Sequence, residues 1–230
     1  MWRTARISQR HIQGPALGVL WRCIILCIII VCVAETQASS GSNRLDTNAR
    51  RSGKEAVRMF HLADVQGNIV SPENDPKAKG CIIIFTCNHC PFAKLYPERL
   101  NALANKYAPL HVPLIAVNSV DSLLFSEENI ADMQSVWKQQ KWNFPYVQDA
   151  TQSVARDFGA DKTPHAFVLK KNATGWFVVY EGAIDDNGAE PTKVKRRYVE
   201  EAVESILHGI PLRTRHTASI GCAIRLRQQR

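Results

Sequence analysis

Cys87-Asn88-His89-Cys90 is the segment of the chain whose residue types and spacing do chemistry most directly. Two thiols separated by two residues can close a short, labile disulfide and reopen it by thiolate attack and resolution. An apolar run, Cys81-Ile-Ile-Ile-Phe85, precedes the pair and a helical pattern follows it, so the pair sits at a strand-to-helix junction. There the unpaired N–H groups of a helix start favour an anion, and the spacing predicts a Cys87 thiol ionised well below its ordinary value. His89, between the cysteines, is expected to donate a hydrogen bond or charge to that thiolate, stabilising the reduced form and making the disulfide more oxidising. Such a dithiol works without a cofactor or a metal. Zinc would need further ligands, and the sequence has no second CxxC and no spaced His pair.

The flanking pattern alternates between strand and helix. Val57–Leu62 reads as a short strand closed by a turn at Asp64–Gly67, and Cys81–Phe85 and Val112–Val117 read as buried strands. Phe92–Tyr107 carries apolar residues at three-and-four spacing, the mark of an amphipathic helix. Ser126 opens a second helix with Glu127, Glu128 and Asn129 in its first turn, and a third runs over Thr151–Phe158. Strands over His165–Leu169 and Trp176–Glu181 and a last helix over Val194–His208 complete an α/β domain with a central mixed β-sheet flanked by helices.

These residues resemble the active site of the thioredoxin-like superfamily, in its secreted TlpA-type and AhpC/TSA-like (redoxin) branch, over about residues 55–210. Phe144-Pro145, Asp149, Phe158-Gly159 and Thr163-Pro164 are similar to that family's downstream pattern. The resemblance implies a thioredoxin-like fold, a cis bond before Pro164, and a loop in which Thr163 and Pro164 face the dithiol and offer backbone groups to a substrate chain. It implies protein thiols or disulfides as partners. A His directly before the second Cys is shared with disulfide oxidases and isomerases. The family also buries a carboxylate six residues before the first Cys. That position is Cys81 here, which reads as an inert buried thiol and leaves the proton acceptor for Cys90 without a candidate.

Residues 1–38 run from scattered Arg through the twelve-residue apolar stretch Cys23–Ala34 to small polar residues, the order of a secretory signal peptide. The alternative is an uncleaved N-terminal anchor attached to the membrane through residues 16–34, although the apolar run falls short of the roughly 18 residues of a spanning helix. Either places the domain outside the cytoplasm, periplasmic or secreted. Residues 39–54 are expected as a flexible tether, 55–212 as the domain and 213–230 as a basic, solvated tail containing Cys222. Cys222 is open between a third redox cysteine that resolves a Cys87 intermediate and an unpaired thiol.

The formal charge of +8 comes from the two ends of the 230-residue chain, leaving the stretch between them neutral and excluding a basic nucleic-acid face on the domain. Two further functions stay open at this point. One is a peroxiredoxin-like thiol peroxidase, whose Pro-x-x-x-Thr-x-x-Cys setting neither Cys87 nor Cys90 has. The other is a non-catalytic binding module that keeps only the fold.

Overall fold

The computed structural model describes residues 55–228; the signal or anchor segment expected at 1–38 and the tether at 39–54 lie outside them. A hairpin, β1 (Leu62–Ala63) and β2 (Ile69–Val70), opens the domain. Its turn is fixed by Asp64, whose carboxylate accepts the N–H groups of Gln66 and Asn68. The main sheet holds β3 (Gly80–Phe85), β4 (Leu114–Asn118), β5 (Tyr146–Gln148), β7 (His165–Asn172) and β8 (Gly175–Gly182), in the order β5-β4-β3-β7-β8. β3 runs parallel to β4 and antiparallel to β7, so the sheet is mixed as expected.

All six residues of β3 are buried, which explains the unbroken apolar run. Strand alternation divides them between two cores. Ile82 and Ile84 face α1 (Pro97–Tyr107), α2 (Ile130–Gln139) and α4 (Tyr198–His208), joining Leu100, Met133 and Val203. Cys81, Ile83 and Phe85 face α3 (Ser153–Phe158), joining Val154 and Phe158. Each fully buried Ile contributes about 1.5–3 kcal/mol of burial free energy. No helix among the described residues is long and apolar enough to cross a membrane.

Several expected boundaries move for local reasons. The α-helix after the cysteines begins at Pro97, not Phe92; Ala93–Leu95 is only a 3-10 turn. Proline disfavours helix in the residue before it and suits the first helical position. The helix expected to open at Ser126 opens at Ile130, because Asn129 caps it by accepting the N–H groups of Ala131 and Asp132. Residues 57–61 bury Val57 and Phe60 without forming a strand. The last helix begins at Tyr198.

Segment 213–228, expected as solvated, lies along the domain. Thr217 donates its N–H to the Glu181 carbonyl, and its hydroxyl accepts from the Ala183 N–H. Ile224 is buried, with its N–H on the Asp161 carbonyl. The Arg227 guanidinium makes a two-pronged pair with Asp121 at 2.6 Å. These specific partners outweigh the chain entropy that a basic tail would otherwise keep.

Candidate active site

β3, the central strand, carries the chain past Phe85 to its C-terminal end, where the Thr86 N–H donates to the Val117 carbonyl of β4 at 2.9 Å. The loop Cys87–Cys90 then turns over a single buried side chain. Glu128 is fully buried, and its carboxylate accepts the Asn88 N–H (3.0 and 2.9 Å), the His89 N–H (2.8 Å) and the Asn118 amide (2.6 Å). His89 Nδ1 lies 2.6 Å from Glu128 Oε1, and its ring stacks on Phe125 with centroids 4.2 Å apart. Asn88 closes the network through Tyr146, whose hydroxyl donates to Asn88 Oδ1 at 3.0 Å. Sequence reasoning missed Glu128 because it read the Glu127-Glu128 pair as the acidic first turn of a helix. Only a carboxylate lying just before that helix's cap, and so free to turn inward, could have drawn notice.

Both thiols meet Thr163. Cys87 Sγ is 3.1 Å from Thr163 Oγ1, and Cys90 Sγ donates to the Thr163 carbonyl at 3.0 Å. The bond from Thr163 to Pro164 is cis. Cys87 is 5% exposed and borders an open groove of about 640 Å³ that Thr86, His89, Lys94 and Trp142 also line, whereas Cys90 is 0% exposed. Cys81, fully buried in β3, packs among the apolar side chains of the α3-side core, and burial pushes its thiol far up.

The electrostatics depart from expectation. Burial, with the Glu128 carboxylate adding to it, pushes the Cys87 thiol up to about 12, although the Thr163 hydroxyl opposes this. A depressed Cys87 value required an α-helix starting at the pair and a donor in His89. The helix starts beyond the pair, and His89 Nδ1 is engaged by Glu128. The low thiol is Cys90 instead. Burial disfavours its ionisation, but hydrogen bonds from the Cys222 thiol, from the backbone N–H groups of Ala93 and Cys222, and from the Thr163 side chain outweigh this and hold it below the ordinary thiol value.

Cys222 therefore belongs to the same cluster. β9 (Cys222–Ala223) pairs antiparallel with β6 (Lys162–Thr163), setting Cys222 opposite Thr163 and against the packed group of Cys87, Cys90, Ala93 and Val120. Gly221 permits this approach, since a Cβ there would collide with the Thr163 carbonyl oxygen. The backbone edge beside cis Pro164 is thus occupied by the chain's own strand.

The nearest donor set to a metal site among the described residues is Cys87, His89 and Glu128, with ligand atoms within 4.8 Å of one another. Both Glu128 oxygens already accept N–H donors, so the trio is accounted for as a hydrogen-bond network.

The AhpC/TSA family model matches residues 53–181, more than half of the chain; β9 and Cys222 lie beyond it. An uncharacterized conserved protein from Geobacillus kaustophilus is 31% identical, with a TM-score of 0.69, over 76% of this chain and 93% of its own. A hypothetical protein from Sinorhizobium meliloti is 31% identical, with a TM-score of 0.68, over 76% of this chain and 94% of its own. A provisionally named thiol:disulfide interchange protein, DsbE, from Chlorobium tepidum shares the fold at 18% identity and a TM-score of 0.52, over 66% of this chain and 96% of its own. No curated protein matches. With its mixed sheet, cis Thr163–Pro164 bond and a pair of thiols just past the end of the central strand, the chain belongs to the AhpC/TSA family and is a thioredoxin-like redoxin domain protein.

Proposed function

We propose that the chain is an extracytoplasmic thiol-disulfide oxidoreductase whose Cys87–Cys90 disulfide oxidises thiols of protein substrates. The observation that carries this reading is the convergence of both sulfurs on Thr163, with Cys87 at the groove and Cys90 behind it. A substrate thiolate attacks Cys87 Sγ, the Cys87–Cys90 bond breaks, and its electron pair leaves on Cys90. A second substrate thiol then attacks the mixed disulfide and releases Cys87, so the substrate loses two electrons and the protein gains them. Cys90 suits the leaving role, because a thiol of lowered pKa leaves faster and stabilises the reduced form. His89 acts on the potential through Glu128, which fixes the loop, and Thr163 orients both thiols. The names of fold neighbours such as DsbE agree with this class of reaction. The extracytoplasmic setting draws on the basic, apolar, small-residue order of residues 1–38.

The test is transfer of the disulfide from the oxidised full chain to a reduced dithiol peptide. Transfer by wild type and its loss in Cys87→Ser and Cys90→Ser support the reading; full retention in Cys87→Ser overturns it.

Membership of the AhpC/TSA family favours a second reading, a thiol peroxidase in which peroxide oxidises Cys87 to a sulfenic acid. Burial of Cys87 and its raised pKa weigh against it, since the thiolate is the reacting species. Peroxide consumption no faster than that of a free thiol removes this reading.

A further inference from the structure

The C-terminal segment places a third sulfur at the pair, and places it firmly. Upstream of Cys222, Thr217 is tied to β8 through Glu181 and Ala183, and the Ser219 carbonyl accepts from Lys162 Nζ at 3.1 Å. Downstream, the Ile224 N–H donates to Asp161 at 2.8 Å, Gln152 binds the carbonyl of Arg225 and the N–H of Arg227, and Arg227 pairs with Asp121. Held at both ends, Cys222 sits opposite Thr163, the residue that contacts both active-site sulfurs, and it is more exposed than either Cys87 or Cys90. The strand carrying it lies along the backbone edge beside cis Pro164, as an added strand does when it pairs with a sheet edge.

We propose that Cys222 is the third thiol of the redox centre, exchanging with the Cys87–Cys90 disulfide at the Cys90 sulfur, so that the segment 219–224 acts as a built-in substrate strand. This rests on the oxidoreductase reading above and deepens it. Burial and the neighbouring Cys90 push the Cys222 thiol up to about 11, which makes the exchange slow at neutral pH and faster as pH rises. In the step, Cys222 gives up its proton to solvent base and attacks Cys90 Sγ, and a Cys90–Cys222 bond forms as the Cys87–Cys90 bond breaks. The electron pair passes to Cys87, which takes up a proton and returns to its contact with the Thr163 hydroxyl. No outside oxidant is consumed. The protein then holds its disulfide behind a free Cys87 thiol at the groove. Cys222 packs against the group that holds both Cys87 and Cys90, and attack at Cys90 makes this a different exchange from resolution of a Cys87 intermediate.

The experiment is disulfide mapping of the full chain after titration with oxidised dithiothreitol, acid quenching and alkylation. Trypsin leaves Cys81, Cys87 and Cys90 together on peptide 80–94 and Cys222 on peptide 216–225, so the new bond appears as a linked pair of peptides whose fragmentation shows which sulfur of 80–94 is joined to Cys222. We expect that pair in wild type, its enrichment at least tenfold in Cys87→Ser, and its loss in Cys90→Ser. Cys222 fully alkylated in both oxidised wild type and Cys87→Ser overturns the proposal, and the wild-type digest decides the matter even if a variant fails to fold. Cys222→Ser separates the two readings. If it transfers its disulfide to a dithiol peptide while wild type yields no linked pair, only the role of Cys222 falls; if neither it nor wild type transfers a disulfide, the oxidoreductase reading falls.

Discussion

Glu128 lies 2.6 Å from His89 Nδ1 and accepts both backbone N–H groups between Cys87 and Cys90, so one buried carboxylate sets the shape of that loop. Replacing it leaves several buried donors without an acceptor. Glu128→Ala is expected to cost about 3 kcal/mol or more. Chemical denaturation of the reduced protein checks this, and a loss of about 0.5 kcal/mol or less, the range of an ordinary surface change, contradicts it.

Cys90, not the Cys87 that the sequence suggested, is expected to be the readily ionised thiol. Ultraviolet titration of reduced Cys87→Ser and Cys90→Ser, each taken as its difference from the variant carrying both changes, should find Cys90, in Cys87→Ser, ionising below the ordinary thiol value, and Cys87, in Cys90→Ser, ionising only toward about 12. Cys222→Ala removes a donor to Cys90 and should raise the Cys90 pKa. The disulfide should then become less oxidising, by on the order of 30 mV for each pKa unit recovered. A Cys90 value unmoved by Cys222→Ala contradicts the contact.

Gly221→Ala is a local test of strand β9. The added methyl would meet the Thr163 carbonyl oxygen, which is backbone and cannot step aside. The variant should lose about 1–3 kcal/mol and most of the Cys90–Cys222 linkage. A variant as stable and as readily linked as wild type would show that β9 does not approach Thr163 this closely.

Asp121 governs how firmly the tail is held. The Arg227 guanidinium, with the Leu123 N–H assisting, holds its carboxyl below the ordinary carboxylate value against the opposing effect of burial. A folded value below the unfolded one means that this contribution is complete above the ordinary carboxylate range. It is lost as pH falls through the lowered value. Hydrogen exchange at the Cys222 and Ile224 amides should therefore be protected at neutral pH and lose protection in acid, or in Asp121→Asn at neutral pH. Equal protection in Asp121→Asn contradicts the anchoring role.

The sheet was legible because its strands are buried on both faces: Cys81–Phe85 needs no partner to be identified as a core strand. The dithiol was legible from spacing, and Thr163–Pro164 from resemblance. What the sequence hid are long-range contacts. Nothing near Glu128 marks it as the acceptor for a loop far upstream, and the polar, arginine-rich surroundings of Cys222 read as solvated until Thr217, Ile224 and Arg227 find their separate partners. The Cys87 pKa was misjudged for a local reason, the restart of the helix at Pro97.

The reduction potential of the Cys87–Cys90 pair tests the central claim most directly. The full chain would be equilibrated with glutathione buffers and its disulfides mapped. A value well above thioredoxin's, about −270 mV, is expected, because Cys90 is stabilised as a thiolate. A value at or below that of thioredoxin would contradict it and make the protein a reductant.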